Sequence, residues 1–128
     1  MSYLLDTNTL YWWVFFPELL TARVRAILAD PDTKAYASAV SAYEMSYKHH
    51  RGRWPEVEPL VSAFEEVVAA ERFGLLPLTA RHAARAGAYP VEHRDPFDRM
   101  MAAQAEAEDL ALVTNDRWIA ELVVRVVW

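Results

Sequence analysis

The sequence contains no cysteine and only three glycines among its 128 residues. Without cysteine the chain forms neither disulfides nor thiolate zinc sites, and it has no thiol nucleophile. The three glycines lie far apart, so there is no glycine-rich loop to surround a phosphate and no Gly-x-Ser-x-Gly nucleophile elbow. These absences exclude thiol catalysis, P-loop nucleotide binding and serine hydrolases of the elbow type.

Long apolar runs are also missing. The longest candidate covers residues 10–16 and stops at Pro17, well short of the roughly 18 residues that span a membrane. There is no basic leader followed by an apolar stretch and a cleavage site. We therefore expect a cytoplasmic protein without membrane association, and the length predicts a single domain over residues 1–128. The net charge of −5 argues against a protein that coats DNA.

Short apolar runs alternate with amphipathic segments along the whole chain. The predicted strands cover residues 3–5, 34–38, 75–78, 110–114 and 123–127. The predicted helices cover residues 7–15, 19–29, 39–51, 57–72, 80–86, 96–108 and 117–122. This alternation favours an α/β fold with a parallel sheet, and such short apolar strands suit a sheet covered on both faces.

Four acidic residues lie where a predicted strand gives way to a helix, or near the start of a helix: Asp6, Glu44, Asp98 and Asp116. In an open parallel sheet these places share one edge. Carboxylates gathered there repel one another unless a cation lies between them. Because hard oxygen ligands suit Mg²⁺ or Mn²⁺ rather than zinc or copper, the pattern predicts a magnesium or manganese site.

Helix capping is the competing explanation for each acid taken alone. Residues 41–44 (SAYE) match a capping box, and Asp95 followed by Pro96 matches an N-cap with proline at the first helical position. Asp6, Asp116 or Asn115 could cap in the same way. However, Ser, Thr and Asn cap about as well as Asp, so capping does not by itself predict acids at all four places.

The histidines offer little competition as ligands or catalysts. His49, His50, His82 and His93 have no zinc-like spacing with other ligands, and the adjacent pair diverges on a helix. We expect His82 to lie on the surface of its helix. His93 precedes the Asp95 turn, where it either has a structural role or touches substrate.

Taken in order, four segments resemble the PIN domain, and in particular the VapC-like toxins of bacterial toxin–antitoxin pairs. They are residues 4–8 (LLDTN), 41–44 (SAYE), 93–105 (HRDPFDRMMAAQA) and 112–116 (LVTND). The resemblance implies a three-layer fold whose five-stranded parallel sheet has the order 3-2-1-4-5 between helices. It also implies that Asp6, Glu44, Asp98 and Asp116 form an acidic metal site. Some relatives carry the last acid a few residues further on, which leaves open whether Asp116 or a neighbour completes the set.

The same resemblance implies roles for the neighbours of these acids. Thr7 or Asn8 would hold the first acid or a water, and Asn115 would orient a water or Asp116. Asp95 is assigned to capping. Arg99 would contact phosphate or pair with a site acid.

The function implied is that of an endoribonuclease that uses Mg²⁺, or alternatively Mn²⁺, to activate water against an RNA phosphodiester. The basic run Lys48, His49, Arg51 and Arg53 would guide the RNA backbone, with Tyr47 or Trp54 stacking on a base. The run also suits a solvated helix end, and ordinary packing is preferred for Trp54. A structure-specific DNA nuclease and a non-catalytic binding module remain alternatives.

The resemblance further implies a cognate antitoxin as partner, a homodimer, and a toxin–antitoxin hetero-oligomer. The aromatic segment at residues 11–16 (YWWVFF) is a candidate surface for the antitoxin or for a second copy of the chain. Burial in the core would account for about half of its rings.

Overall fold

The fold is centred on one parallel sheet of five strands. In a computed structural model of the chain, residues 1–90, 95–122 and 125–128 are described. The strands are β1 (Ser2–Leu5), β2 (Lys34–Ser38), β3 (Gly74–Leu76), β4 (Ala111–Val113) and β5 (Val126–Val127). Their order is β3-β2-β1-β4-β5, and every neighbouring pair is parallel. The predicted sheet and its strand order are confirmed.

Helices connect the strands. They are α1 (Thr7–Phe15), α2 (Ala22–Ala29), α3 (Ala39–His50), α4 (Glu58–Ser62), α5 (Phe64–Ala70), α6 (Ala80–Ala88), α7 (Pro96–Ala107) and α8 (Arg117–Ala120). Short 3-10 turns cover Pro17–Leu19 and Pro55–Val57. Within the described residues, no helix is long and apolar enough to cross a membrane.

The single helix predicted over residues 57–72 is wrong, because the chain forms α4 and α5 with a break at Ala63. That residue has φ −142° and ψ 41°, outside the helical region. The Ser62 hydroxyl donates to the carbonyl of Glu58 at 3.2 Å, a local bond that competes with the helical ladder and bends helices. Leu60, Phe64 and Val68 are nevertheless all buried, so the apolar periodicity identified the right side chains.

The other boundaries shift by a few residues for local reasons. The helix predicted over residues 19–29 begins at Ala22, because the hydroxyl of Thr21 accepts a hydrogen bond from the N–H of Val24 at 3.1 Å. The strand predicted over residues 75–78 ends at Leu76, before Pro77, which has no N–H for a ladder. Residues 123–124 of the last predicted strand lie outside the described residues.

Two apolar layers enclose the sheet, as expected for a three-layer fold. Adjacent residues of β1 point to opposite faces, and both Leu4 and Leu5 are fully buried. Leu5 packs in a layer with Leu10, Val24, Met45 and Leu60. Leu4 packs in the other layer, whose members include Ala102, Ala103, Leu112 and Ile119. Such burial is worth about 1.5–3 kcal/mol for each large aliphatic side chain.

The central position of β1 determines which loops meet. In register, Leu5 lies opposite Ala37 of β2 and Val113 of β4. The carboxyl ends of these three strands therefore form one edge of the sheet, and the segments that follow them begin side by side. This edge is where ligands bind in open α/β sheets.

Candidate active site

Asp6 lies at the centre of this edge and is held by three hydrogen bonds. Its N–H donates to the carbonyl of Val113 at 3.1 Å. Its Oδ1 accepts from the N–H of Thr7 at 2.7 Å, as an N-cap of α1, and its Oδ2 accepts from the hydroxyl of Thr114 at 2.8 Å. The residue is only 6% exposed. Asp6 thus caps its helix, as the competing explanation holds, and still presents a buried carboxylate at the sheet edge.

The pKa of Asp6 responds to two of the other predicted acids. Burial raises its pKa from 3.8 to about 7, against the opposite effect of the Thr114 hydrogen bond. The negative charges of Asp98 and Glu44 raise this pKa further. The carboxylates of α3 and α7 therefore act on the buried carboxyl at the β1–α1 junction, as expected of acids near one sheet edge.

Glu44 is buried inside α3 and takes no part in capping it. The N-cap of α3 is Ser38, whose hydroxyl accepts from the N–H of Val40 at 2.9 Å. The capping-box explanation for Glu44 is therefore wrong, because the helix begins before Ser41. Glu44 instead accepts a hydrogen bond from Lys48 Nζ, one helical turn later, at 2.5 Å.

Asp98 and Asp116 lie at the starts of α7 and α8. Asp95 caps α7, since its Oδ1 accepts from the N–H groups of Phe97 and Asp98 at 2.9 and 3.3 Å, and its predicted capping role is confirmed. Asp98 is half-buried in the first turn of α7. Asp116 caps α8 through the N–H of Trp118 at 2.9 Å. The N–H of Asp116 donates to the Thr114 hydroxyl at 3.0 Å, so the same threonine contacts Asp6 and Asp116.

The carboxylates of the predicted site are suitable ligands for a divalent metal, but they do not converge on one point. Within residues 1–90, 95–122 and 125–128, no three His, Asp or Glu side chains lie close enough together to hold an ion. The oxygens are those that Mg²⁺ prefers, and the mutual repulsion at Asp6 is what a cation relieves. Lys48 contacts Oε2 of Glu44, so an ion would bind the other oxygen of this carboxylate or displace Lys48.

Small hydroxyl residues connect the elements that carry the acids. The Thr7 hydroxyl shares a 2.9 Å hydrogen bond with that of Ser41, and Thr9 donates to the carbonyl of Val113 at 2.8 Å. Ser41 and Thr114 are site residues that the sequence reasoning missed. The only signal for Thr114 was its place at the end of the strand predicted over residues 110–114. Asn8 and Asn115, predicted as supporting residues, are both exposed at the sheet edge.

Arg99 lies next to Asp98, but its guanidinium reaches the end of α6. It donates to the carbonyl of Ala86 at 3.0 Å and to that of Tyr89 at 2.8 Å. These contacts join the end of α6 to the first turn of α7. Arg99 therefore has a positioning role, in addition to the contact with phosphate or a site acid that was predicted for it.

The predicted RNA-binding run folds back on its own helix. The guanidinium of Arg51 lies 3.6 Å from the ring centre of Tyr47 and that of Arg53 lies 5.6 Å from it. His49 Nδ1 lies 3.1 Å from the carbonyl of Trp54. The ring of Trp54 packs edge-on against Tyr11 at 5.0 Å, which confirms packing as its role. Together with Lys48, which pairs with Glu44, these residues have the contacts of a helix end.

The aromatic segment at residues 11–16 divides between core and surface, as expected. Tyr11 is buried, and Trp12 packs against Trp128 at 6.0 Å between ring centres. Phe15 and Phe16 are exposed. They leave an apolar patch at the end of α1 that is remote from the acids.

His82 is buried, so its prediction as a surface residue is wrong. Its Nδ1 accepts from the N–H of Thr79 at 3.1 Å, and its Nε2 hydrogen-bonds to Glu108 at 3.0 Å. The side chain completes a capping box at the start of α6 and fastens that helix to the end of α7. The spacing of Thr79 and His82 was the available signal. His93 lies outside the described residues.

A groove of about 780 Å³ runs between α3 and the start of α7. Its apolar walls include Val40, Tyr43, Tyr47, Phe97 and Met100. Tyr43 and Phe97 directly precede Glu44 and Asp98 in sequence. The groove therefore borders the acidic site.

Comparison with known proteins gives concordant matches. The PIN domain family model matches residues 3–123. The ribonuclease VapC22 of Mycobacterium tuberculosis is 31% identical over 115 residues, which cover 89% of this chain and 86% of that protein. A chain of the Rickettsia felis VapBC2 complex with promoter DNA superposes with a TM-score of 0.66 at 17% identity, covering 98% of this chain and 96% of that one. A chain of VapBC-1 from nontypeable Haemophilus influenzae superposes with a TM-score of 0.64 at 19% identity, covering 100% of this chain and 96% of that one.

Proposed function

The chain belongs to the PIN domain family, and on that premise we propose that it is a Mg²⁺-dependent endoribonuclease that acts as the toxin of a toxin–antitoxin pair. The single observation that carries the proposal is the buried carboxylate of Asp6 at the sheet edge, whose pKa is raised by burial and further by the negative charges of Asp98 and Glu44. The relative VapC22, which is named a ribonuclease, supports RNA as the substrate.

The proposed metal ligands are Asp6, Glu44, Asp98 and Asp116, with Mn²⁺ as an alternative to Mg²⁺. A bound divalent ion would make an attacking water easier to deprotonate and would stabilise negative charge on the phosphate oxygens. The number of ions held is one or two.

The chain's own residues prepare this site. The N–H of Thr7 and the hydroxyl of Thr114 fix both oxygens of Asp6. Lys48 pairs with Glu44, and an ion bound at Glu44 would compete with this pair and free Lys48 to contact RNA. Asn8 and Asn115, whose side chains are exposed, supply amide groups for a water or a phosphate.

The approach of a polyanion to an acidic protein needs local cations. Lys48, His49, Arg51 and Arg53 are proposed to contact the RNA backbone from the end of α3. Arg51 and Arg53 lie against the ring of Tyr47, which holds their charges on one side of the helix.

We further propose a cognate antitoxin and a homodimer, which could combine in a hetero-oligomer in the cytoplasm. A solved complex from Klebsiella pneumoniae that contains a chain of similar fold is described as a toxin–antitoxin complex. On this chain the exposed Phe15, Phe16 and Leu19 supply apolar surface for the antitoxin. Co-expression with the neighbouring small reading frame should yield a complex on pull-down, and failure of the two to co-purify would count against it.

The test of the proposed function is cleavage of total cellular RNA with Mg²⁺, Mn²⁺ or EDTA, read by mapping the new ends. Cleavage at defined positions with either metal, and none in EDTA, is expected. Parallel reactions with single-stranded RNA, structured RNA and flap DNA separate a ribonuclease from a structure-specific DNA nuclease. Absence of turnover on all of them would leave a binding module and refute the proposal.

A further inference from the structure

Trp118 differs from the other four tryptophans of the chain in its exposure. Trp12, Trp13, Trp54 and Trp128 are half-buried against the core. Trp118 is 64% exposed. An indole ring buries a large apolar area when it can, so one left in solvent suggests a contact made with another molecule.

The short helix α8 sorts its side chains into an inner and an outer face. Ile119 and the following Leu122 are buried in the apolar layer beneath the helix. Arg117, Trp118 and Glu121 face outward and line a depression of about 370 Å³. The core therefore fixes the helix backbone while the indole stays free to meet a ligand.

Hydrogen bonds connect this face to the acidic site. The N–H of Trp118 donates to Asp116 Oδ1 at 2.9 Å, and the N–H of Asp116 donates to the Thr114 hydroxyl at 3.0 Å. That hydroxyl donates to Oδ2 of Asp6 at 2.8 Å. Four peptide units separate Thr114 from Trp118, so their Cα atoms lie within about 15 Å of each other. A few nucleotides of one strand cover that distance.

We propose that Trp118 and Arg117 form a subsite for an unpaired nucleobase and its neighbouring phosphate in single-stranded RNA. The inference rests on the proposed nuclease function and adds to it the residues that would hold an unpaired base. The indole stacks on the base, a contact that tolerates any base because all have a π face. Bases inside a duplex are already stacked on both sides and offer no such face.

The charged residues around the depression indicate where the base and the phosphate would bind. The carboxylate of Glu121 borders the same space and repels phosphate, so the uncharged base occupies the part beside the indole. Arg117 is exposed, and its guanidinium meets the adjoining phosphate as a charge-assisted donor. The nucleotide so bound lies on the strand that reaches Asp6.

The test measures RNA binding in an Asp98→Asn background, which keeps the RNA intact. A fluorescein-labelled unstructured RNA and a fully paired RNA duplex are titrated with Mg²⁺ and read by anisotropy. Trp118→Ala should weaken binding of the unstructured RNA about 10- to 100-fold and leave duplex binding unchanged. Trp118→Phe should retain most of the affinity. Leu75→Ala, which changes an exposed apolar residue of the edge strand β3, should have no effect.

Two further measurements separate this inference from the function on which it rests. Trp118→Ala alone, with its site acids intact, should raise KM for unstructured RNA while kcat is retained. Single-stranded RNA should quench tryptophan emission in the Asp98→Asn protein and quench it less after Trp118→Phe. Normal cleavage with unchanged KM and affinity in Trp118→Ala would overturn the subsite and leave the nuclease standing. Loss of antitoxin binding with RNA binding intact would overturn it in favour of a protein contact, and absence of any RNA binding would refute it together with the proposed function.

Discussion

The hydroxyl of Thr114 donates a 2.8 Å hydrogen bond to Oδ2 of Asp6 across 108 positions of sequence. This bond lowers the pKa of Asp6, whereas burial and the charges of Asp98 and Glu44 raise it. Thr114 therefore favours the ionised carboxylate that a metal needs. Because its oxygen also accepts from the N–H of Asp116, one side chain orients two of the proposed ligands.

Removal of this hydroxyl should impair the site without removing a ligand. In Thr114→Val, Asp6 and the N–H of Asp116 each lose a buried partner, which costs about 1–3 kcal/mol of stability for each group left unsatisfied. The acidic limb of the pH–rate profile should move to higher pH, because Asp6 then ionises less readily. Thr114→Ser should behave like the natural protein. A profile unmoved in Thr114→Val would contradict the assigned role.

The raised pKa of Asp6 predicts how the metal-free protein responds to pH. With a folded pKa near 7 against 3.8, the folded state binds more protons than the unfolded state between these values. Stability in EDTA should therefore fall as pH rises from about 4 to 7, by at most roughly 4 kcal/mol from this group. Denaturant unfolding across this range should show a shallower decline for Asp6→Asn. Identical slopes for both proteins would refute the prediction, and Mg²⁺ should restore stability near neutral pH.

The ion pair between Lys48 and Glu44 predicts competition between Lys48 and the metal. In Lys48→Met, Glu44 no longer has to leave a cation, so half-maximal cleavage should need several-fold less Mg²⁺. Stability in EDTA should fall by about 1–3 kcal/mol, because Glu44 is buried and loses the cation that it accepts a hydrogen bond from. Arg125→Met, which removes a surface pair with Asp109, is the matched control. A higher Mg²⁺ requirement in Lys48→Met would exclude competition.

Substitutions of Arg99 can separate the effect of its guanidinium contacts from the effect of its positive charge. Its two contacts to the carbonyls of Ala86 and Tyr89 use the fork of a guanidinium, which lysine does not reproduce. Arg99→Lys should therefore lower kcat and stability nearly as much as Arg99→Met, with little change in KM. Recovery of full activity in Arg99→Lys would show that the positive charge, rather than the clamp on α6, is what matters.

The sheet could be predicted because each of its strands is a short apolar run between helical segments. Such a run can be recognised from a few consecutive residues. The same strand ends mark the edge near which Asp6, Glu44 and Asp98 were predicted to lie, and the charges of Glu44 and Asp98 do act on Asp6. The break at Ala63 could not be predicted, because the apolar spacing of Leu60 and Phe64 continues through it.

Contacts between distant segments account for what the sequence did not reveal. Thr114 is ordinary until β4 lies beside β1, and Ser41 becomes a site residue only when α3 meets α1 through Thr7. His82 was expected on the surface because its burial depends on Glu108 and the end of α7. Polar residues of this kind carry no periodic signal, so their roles depend on the tertiary arrangement.

The most direct measurement of the central claim is divalent-metal binding by calorimetry, with Mn²⁺ and then Mg²⁺, and without RNA. The natural sequence should bind one or two ions. Asp98→Asn should weaken metal binding at least about tenfold. Loss of a residue that only orients a metal ligand already weakens binding about 10- to 100-fold, and Asp98 is proposed as a ligand itself. Asp109→Asn, a matched change at an exposed aspartate that pairs with Arg125, should bind as the natural protein does. Equal affinities in Asp98→Asn and Asp109→Asn, or no binding by the natural protein, would contradict a metal site built from these carboxylates.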